Sequence, residues 1–467
     1  MEARAIDNAG RRLRALNLVG GQWQGASGAR EGDSINPANG REIGSFAAGG
    51  AADARQAIDA ARRAFDAGGL SRDPAQRAAL LLRWADRLEG RADLAQLLTL
   101  ENGKVLAQSR QEIAAAVACV RHCAGQLQHG VPPAAQPVGV VAIIVPWHAP
   151  VASLAAWLAP ALAAGCAAVV KPARQVAQVS AAVIAELAAV EGLPAGAVNL
   201  VSETGQEAAR ELVASRQVDV LCFTGSQETG RKMTVAAAPS AKKLLFDLTR
   251  KSCSLVFADT DVQAVAAQLA AAAVVASGQH SSAPRRILVH ASCFDEAKAA
   301  LRRALEQVVV GAGDRAGCGM GPLIDAPALV AVGVRTEQAL ARCDEVVLHG
   351  RRAGGELADG YFLSPTLVAQ RDCSDPSSPD EIYGPFVSLG RFEADAEALD
   401  CANEMPMARS VSVWTGDPAR AQRLARALRS GGVLINRHDW LAPGGSMGRQ
   451  GRQPFGGLAD FFATPGH

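Results

Sequence analysis

Residues 138–145, Val138-Gly139-Val140-Val141-Ala142-Ile143-Ile144-Val145, form a nearly uninterrupted β-branched run. A strand that is apolar at successive rather than alternate positions is buried on both faces, as in parallel sheets covered by helices on each side. Ala167-Ala168-Val169-Val170 and residues 218–223 repeat this character, with Ala-rich stretches between them. The alternation predicts an α/β fold with a parallel sheet. Ahead of it, residues 19–50 read as short strands and turns, and residues 51–125 as helices, with Leu81, Trp84, Ala85 and Leu88 at helical spacing. After Lys251 the order begins again: a strand at 255–257, a helix over 262–277, a strand at 287–289 and a helix over 295–308. Residues 431–436 make a last strand before a Gly-rich loop. We therefore divide the chain into 1–250, 251–440 and a short closing segment, 441–467.

At 467 residues the chain exceeds one ordinary domain. Its 47 Lys+Arg against 46 Asp+Glu leave a net charge of +1, so no global field favours nucleic acid or an anionic membrane, and a small-molecule ligand is expected. The ten cysteines are scattered singly, without a C-x-x-C pair. That argues against zinc or a disulfide framework and for reduced thiols in a cytoplasm. Residues 1–18 carry Arg11, Arg12 and Arg14 but no apolar run of a secretory signal, and read as a flexible lead-in. Residues 151–170 lack charge over a span long enough to cross a bilayer, yet Pro160 interrupts them and Ala and Gly dominate. A buried helix followed by a strand is expected there.

Two motif matches fail on context. Val310-Gly311-Ala312-Gly313-Asp314-Arg315-Ala316 fits a dinucleotide fingerprint, but Gly317, Gly319, Gly321 and Pro322 forbid the helix that must open there. Gly444-Gly445-Ser446-Met447-Gly448 fits a nucleophile elbow, but no strand leads directly into it, and a mobile loop is expected. A stronger candidate is Gly278-Gln279-His280-Ser281-Ser282-Ala283-Pro284-Arg285-Arg286, a small-residue turn between a helical segment and a strand.

That turn resembles the nucleophile loop of the aldehyde dehydrogenase superfamily, Gly-Gln-x-Cys followed by small residues and Arg. Further landmarks follow in the family's order: Ile35-Asn36-Pro37, Glu101-Asn102-Gly103-Lys104, Pro137-Val138-Gly139-Val140 with Pro146-Trp147, and Lys171-Pro172-Ala173. Phe223-Thr224-Gly225-Ser226, Gly360-Tyr361-Phe362 with Pro365-Thr366, Glu381-Ile382-Tyr383-Gly384-Pro385 and Pro454-Phe455-Gly456-Gly457 complete the series. The resemblance implies a Rossmann-type cofactor domain over 1–250 and an α/β catalytic domain over 251–440; the hairpin and C-terminal strand with which the family usually builds tetramers both look reduced here, so a monomer or dimer is expected. It implies NADP or NAD as cofactor. Trp147 would lie at the turn toward the site. Lys171, at the carboxyl end of a strand, would meet ribose hydroxyls, and Thr224, Gly225 and Ser226 would meet phosphate where a helix opens. The bland alternative for Ser226 is an ordinary N-cap. Glu381 would hold the second ribose and Tyr383 would pack on the ring. Arg174 stands where the family often has a carboxylate, which favours a 2′-phosphate and so NADP.

The catalytic positions depart from the family. Ser281 replaces the thiol, His148 the oxyanion asparagine and Asp247 the glutamate base, while Thr249 and Arg250 replace two glycines beside the nicotinamide. A hydroxyl without a base is a poor nucleophile. Three readings are open: a pseudoenzyme that keeps the fold and nucleotide binding, or serves as a partner subunit; a Ser281-based esterase or thioesterase using His148 or His280 and Asp247; and aldehyde oxidation by an unusual route.

Overall fold

The computed structural model describes residues 13–70, 73–128, 135–248, 252–374, 381–404, 408–440 and 463–465. The expectations for residues 1–12, Thr249 and Arg250, 444–448 and 454–457 fall outside them.

The chain opens with short strands, β1 (Leu13–Ala15), β2 (Asn17–Val19), β3 (Gln22–Gln24), β4 (Glu31–Ile35) and β5 (Glu42–Ala47). Four helices follow: α1 (Ala51–Asp66), α2 (Pro74–Gly90), α3 (Asp93–Asn102) and α4 (Leu106–Gln128). Asp73 caps α2 by accepting the Ala75 N–H, and Pro74 suits the first helical position, where no N–H is needed. Gly103 stops α3 at φ 85°, a conformation that costs glycine little. Next come β6 (Ala135–Pro137), β7 (Val140–Val145), α5 (Pro150–Ala164), β8 (Ala167–Pro172), α6 (Ala177–Ala188), β9 (Val198–Leu200), α7 (Glu207–Ala214), β10 (Val220–Thr224), α8 (Gln227–Ala237) and β11 (Lys243–Asp247).

These build a seven-stranded sheet of order β11-β10-β7-β8-β9-β2-β3, whose five strands from β11 to β9 run parallel. All six residues of β7 are buried. Val141, Ile143 and Val145 enter one core with Trp84 and Leu158, whereas Val140, Ala142 and Ile144 enter another with Ile58 and Leu212. Successive side chains point to opposite faces, so a continuous apolar run is what a centrally placed strand requires. Residues 151–170 are α5 and β8, and among the described residues no helix is long and apolar enough to cross a membrane.

The second sheet uses β12 (Ser252–Val256), α9 (Val262–Ala273), β13 (Pro284–His290), α10 (Phe294–Glu306), α11 (Ala326–Leu340), β14 (Glu345–Leu348), β15 (Thr366–Ala369), β16 (Phe386–Phe392), α12 (Asp395–Asn403), β17 (Val411–Trp414), α13 (Pro418–Ala427) and β18 (Val433–Ile435). Its order is β14-β15-β16-β13-β12-β17-β18, with only the β14 pairing antiparallel. The helix expected over 262–277 stops at Ala273, because Ala276 and Ser277 take left-handed φ of 47° and 57°. Near the C-terminus, β19 (Ala463–Pro465) returns to pair antiparallel with β6. Gly311-Ala312-Gly313 opens no helix. A Cβ at Gly313 would lie 2.3 Å from the Lys104 carbonyl oxygen.

Candidate active site

The stretch Glu101-Asn102-Gly103-Lys104 is the frame on which the site is hung. Glu101 accepts the N–H groups of Gln178 and Val179 at 2.9 Å each and so caps α6; burial pushes its carboxyl up to about 8. The Asn102 side chain donates to the Trp147 carbonyl at 2.6 Å. Lys104 Nζ donates to the His148 carbonyl at 2.9 Å and pairs with Glu112. Glu112 in turn accepts from Val151 N–H at 2.8 Å and Ala152 N–H at 3.2 Å. The first turn of α5 has no side-chain cap of its own, and this buried carboxylate takes that place. Two side chains from one turn thus fix the backbone on which His148 stands.

Opposite lies the loop from Ala276 to Ala283. Ala276, Ser277 and Gly278 all have positive φ, and their polar groups are spent on neighbours. The Ala276 N–H donates to Gln108 Oε1 at 3.0 Å, and Ser277 Oγ donates toward the Gly321 and Pro322 carbonyls at 2.7 and 2.9 Å. Gln279 Oε1 accepts the Ile324 N–H at 3.0 Å. A Cβ on Gly278 would sit 2.1 Å from the Gly384 carbonyl oxygen, so the Glu381–Pro385 stretch abuts this loop backbone to backbone. Ser281 is 4% exposed.

The rings of Trp147, His148, His280 and Trp440 form an edge-to-face row, with successive centroids 5.8, 5.2 and 5.4 Å apart. Burial, then Arg409 and Lys104, push the His148 imidazole down to about 3. The same groups, with His148, hold His280 well below its ordinary range. Both rings are therefore neutral near pH 7. Among the described residues neither is hydrogen-bonded to Ser281. His280 Nδ1 meets Ser282 Oγ at 2.5 Å and accepts the Ser282 N–H at 3.1 Å. The same pattern recurs at His290 and Ser292, at 2.8 and 3.2 Å, on an exposed turn. We read it as local turn chemistry rather than as a nucleophile with its base. Ser282 also lends its carbonyl to His438 Nε2, which donates at 2.6 Å.

Asp247 ends β11 beside Thr224 of β10 and lies close enough to His148 to raise its basicity. Its carboxylate, however, accepts from Arg409 Nη1 at 3.0 Å, with both side chains mostly buried. The structure thus draws Ser281, His148 and Asp247 into one region without joining them as a triad. Arg409 was missed in the sequence: it is a single arginine just ahead of β17, and nothing in its spacing points across 162 positions.

At the carboxyl end of β8, Lys171, its next-to-last residue, pairs with Glu203 at 3.4 Å. The Thr224 hydroxyl accepts from Trp157 Nε1 at 2.9 Å, so it faces a core tryptophan. Gly225 N–H donates to the Asp247 carbonyl at 3.1 Å. Ser226 is the N-cap of α8, accepting the Thr229 N–H at 3.2 Å, as the bland reading has it. Arg174 reaches Asp325 at 3.8 Å. Glu381 hydrogen-bonds the Tyr383 hydroxyl, whose ionisation burial and that carboxylate both oppose, while the Glu381 carbonyl accepts from Arg335 at 3.2 Å.

The loop ahead of β13 in one sheet and the segment following β7 in the other thus meet at the His148–His280 ring contact. The chain belongs to the aldehyde dehydrogenase family, which it matches over residues 23–460. It is 34% identical to phenylacetaldehyde dehydrogenase of Pseudomonas fluorescens, over 98% of this chain and 93% of that protein. It is 33% identical to a succinate-semialdehyde dehydrogenase (NADP+) of Escherichia coli (strain K12), over 91% and 90%. The crystal structure of betaine aldehyde dehydrogenase from Staphylococcus aureus in complex with NAD+ superposes with a TM-score of 0.86 at 30% identity, covering 91% and 87%.

Proposed function

We propose that this protein binds a nicotinamide dinucleotide across the carboxyl ends of β7, β8 and β10, and that its oxidation of aldehydes is lost or very slow. The residues present fit the cofactor. Lys171 keeps ammonium protons free beyond the one directed at Glu203, and α8 opens immediately after β10, so its first N–H groups suit a pyrophosphate. Trp147, Glu381 and Tyr383 stand on the side of Ser281. Relatives are named with both NAD+ and NADP+. A bound nicotinamide would supply the hydride-acceptor chemistry of the family.

The observation that carries the second half is the Arg409–Asp247 ion pair. A carboxylate held by a guanidinium is a weaker base, so the group that must activate water is already engaged. Among the described residues, the Ser281 hydroxyl then has no hydrogen-bonded base to take its proton, and a serine hydroxyl alone is a poor nucleophile. The neutral His148 could still donate one N–H toward an oxyanion, but it replaces an amide at a position where losing a single donor costs about 10²–10³ in rate. We further propose a boundary between the two α/β units near residue 250, a cytoplasmic setting in keeping with ten free thiols, and a monomer or dimer.

The test is turnover of a panel of neutral and charged aldehydes with either cofactor by the purified protein. Rates at ordinary family levels would overturn the impaired reading. Release of nitrophenol from a nitrophenyl ester, abolished by both Ser281→Ala and His148→Ala, would put the hydrolase in its place.

A further inference from the structure

We infer that the adenosine-ribose end of the cofactor site is built for a free 2′-hydroxyl, so that NAD is held in preference to NADP, and that Glu203 and Asp325 decide it. The inference rests on the proposal that a dinucleotide binds here, and it reverses the preference that Arg174 suggests in the sequence.

A 2′-phosphate is recognised by a cation with charge to spare, whereas a ribose hydroxyl pair needs only hydrogen-bonding groups. Two cations stand at this end, Lys171 on β8 and Arg174 just beyond it, and each already has its own carboxylate. Lys171 Nζ is 3.4 Å from Glu203 Oε1, with side-chain exposures of 13% and 2%. Glu203 follows β9, the neighbour of β8 in the sheet, so the pair bridges the carboxyl ends of adjacent parallel strands.

Glu203 cannot turn aside to release the lysine. Its carboxylate accepts the Ala208 N–H at 2.9 Å and the Ala209 N–H at 3.2 Å, in the first turn of α7. That helix end favours its negative charge as well as fixing its position. Asp325 is anchored in the same manner. It caps α11 by accepting the Ala328 N–H at 2.8 Å, and it accepts from Gln175 Nε2 at 3.0 Å while Arg174 approaches to 3.8 Å. The next cation along, Arg30, is committed to Glu207 at 2.9 Å. Among the described residues, a phosphate dianion placed here meets two fixed carboxylates, and the cations named are each paired with a carboxylate. The ribose hydroxyls, being neutral, lose nothing to those carboxylates and still find donors on Lys171. Of the two pairs, Arg174–Asp325 is the looser, with Arg174 54% exposed, so Glu203 is the stronger determinant.

Isothermal titration of the full-length protein with NAD and with NADP tests this without reference to turnover. NAD should bind at least about tenfold more tightly, since the 2′-phosphate of NADP would be set beside two carboxylates. Glu203→Gln, which keeps an acceptor for α7, and Asp325→Asn, which keeps an N-cap, should each raise NADP affinity by roughly tenfold while moving NAD by less than about threefold. Two substitutions on different elements guard against one of them unfolding its helix, and a melting curve on each confirms the fold. NADP binding as tightly as NAD to the wild-type protein, or an unchanged ratio in both folded variants, overturns the inference alone. Failure of either nucleotide to bind overturns the cofactor-site proposal and this one with it.

Discussion

Lys104→Met isolates the interaction that holds the site together. The Lys104 and Glu112 side chains are both 0% exposed, so among the described residues their charges are supported by each other, a few main-chain groups and the Trp440 ring over Lys104. Methionine keeps roughly the length of the lysine stem and deletes the ammonium. Glu112 then remains buried with the Val151 and Ala152 N–H groups as its support, and the His148 carbonyl loses its donor. Removing one partner of a buried pair typically costs about 3–5 kcal/mol, because the other charge is left uncompensated. The two helix N–H bonds should keep the cost near the lower end of that range. Lys104→Met combined with Glu112→Gln removes both charges and retains an acceptor for α5, so the double variant should be more stable than the single one by about 1–2 kcal/mol. Urea unfolding followed by tryptophan fluorescence provides the measurement. A single variant that costs less than about 1 kcal/mol, or a double variant no more stable than the single, would refute the argument.

The acid response follows from the buried histidines. His148 (about 3), His280 and His438 are all held below the ordinary imidazole value when folded, so the unfolded chain binds more protons over that window. The stability they contribute is fully present above about pH 6.5 and is lost as pH falls toward about 3, by up to about 1.4 kcal/mol per pH unit for each group; a flat melting temperature from about pH 7 to pH 4 would contradict this. Glu101 has the opposite sign. Its raised value stabilises the folded state below about pH 4.5 and is lost as pH rises to about 8, so Glu101→Gln should flatten the alkaline side of the same melting profile. Gly278→Ala should destabilise by more than about 2 kcal/mol, since the added carbon would both occupy a left-handed conformation and strike the Gly384 carbonyl; a melting curve unchanged from wild type would show that the loop has room to move. Arg409→Met should raise the His148 pKa in an NMR titration, because it removes a nearby cation and leaves Asp247 unscreened; an unshifted imidazole would mean that the cation does not act there.

The fold was legible where one residue type repeats a single message. The β7 run required burial on both faces, and Val140 and Val141 do enter opposite cores. The end of α9 was not legible. Alanine favours helix, yet Ala276 and Ser277 are drawn into left-handed geometry by Gln108, Gly321 and Pro322, which lie far off in sequence. The site divides in the same way. Ser281, His148 and Asp247 could be named from the order of the landmarks, but the partner that changes the chemistry of Asp247 could not, because an ion pair leaves no spacing signal. Glu203 was invisible for the same reason, and with it the neutralisation of Lys171 that bears on the meaning of Arg174.

What the site retains and what it has exchanged can be separated by Ser281→Cys. The backbone that would present a nucleophile is held by groups that take no part in chemistry, namely Gln279 on Ile324, Gly278 against Gly384, and Lys104 on His148. None of them depends on the atom at the tip of residue 281, so a thiol introduced there should be correctly placed. Arg409 and Lys104, close enough to depress both imidazoles, should also favour its thiolate. The variant should therefore be alkylated by iodoacetamide faster than any of the ten native cysteines, eight of which are buried. Turnover should not follow if, as proposed, the pairing of Asp247 with Arg409 keeps it from activating water. Only with Arg409→Met and Asp247→Glu added should aldehyde oxidation rise, and by more than the separate effects combined, because groups acting as a unit are not additive. Ordinary oxidation rates from Ser281→Cys alone would show that the ion pair does not restrain the base. A thiol at 281 that is no more reactive than the native ones would show that the frame does not present it.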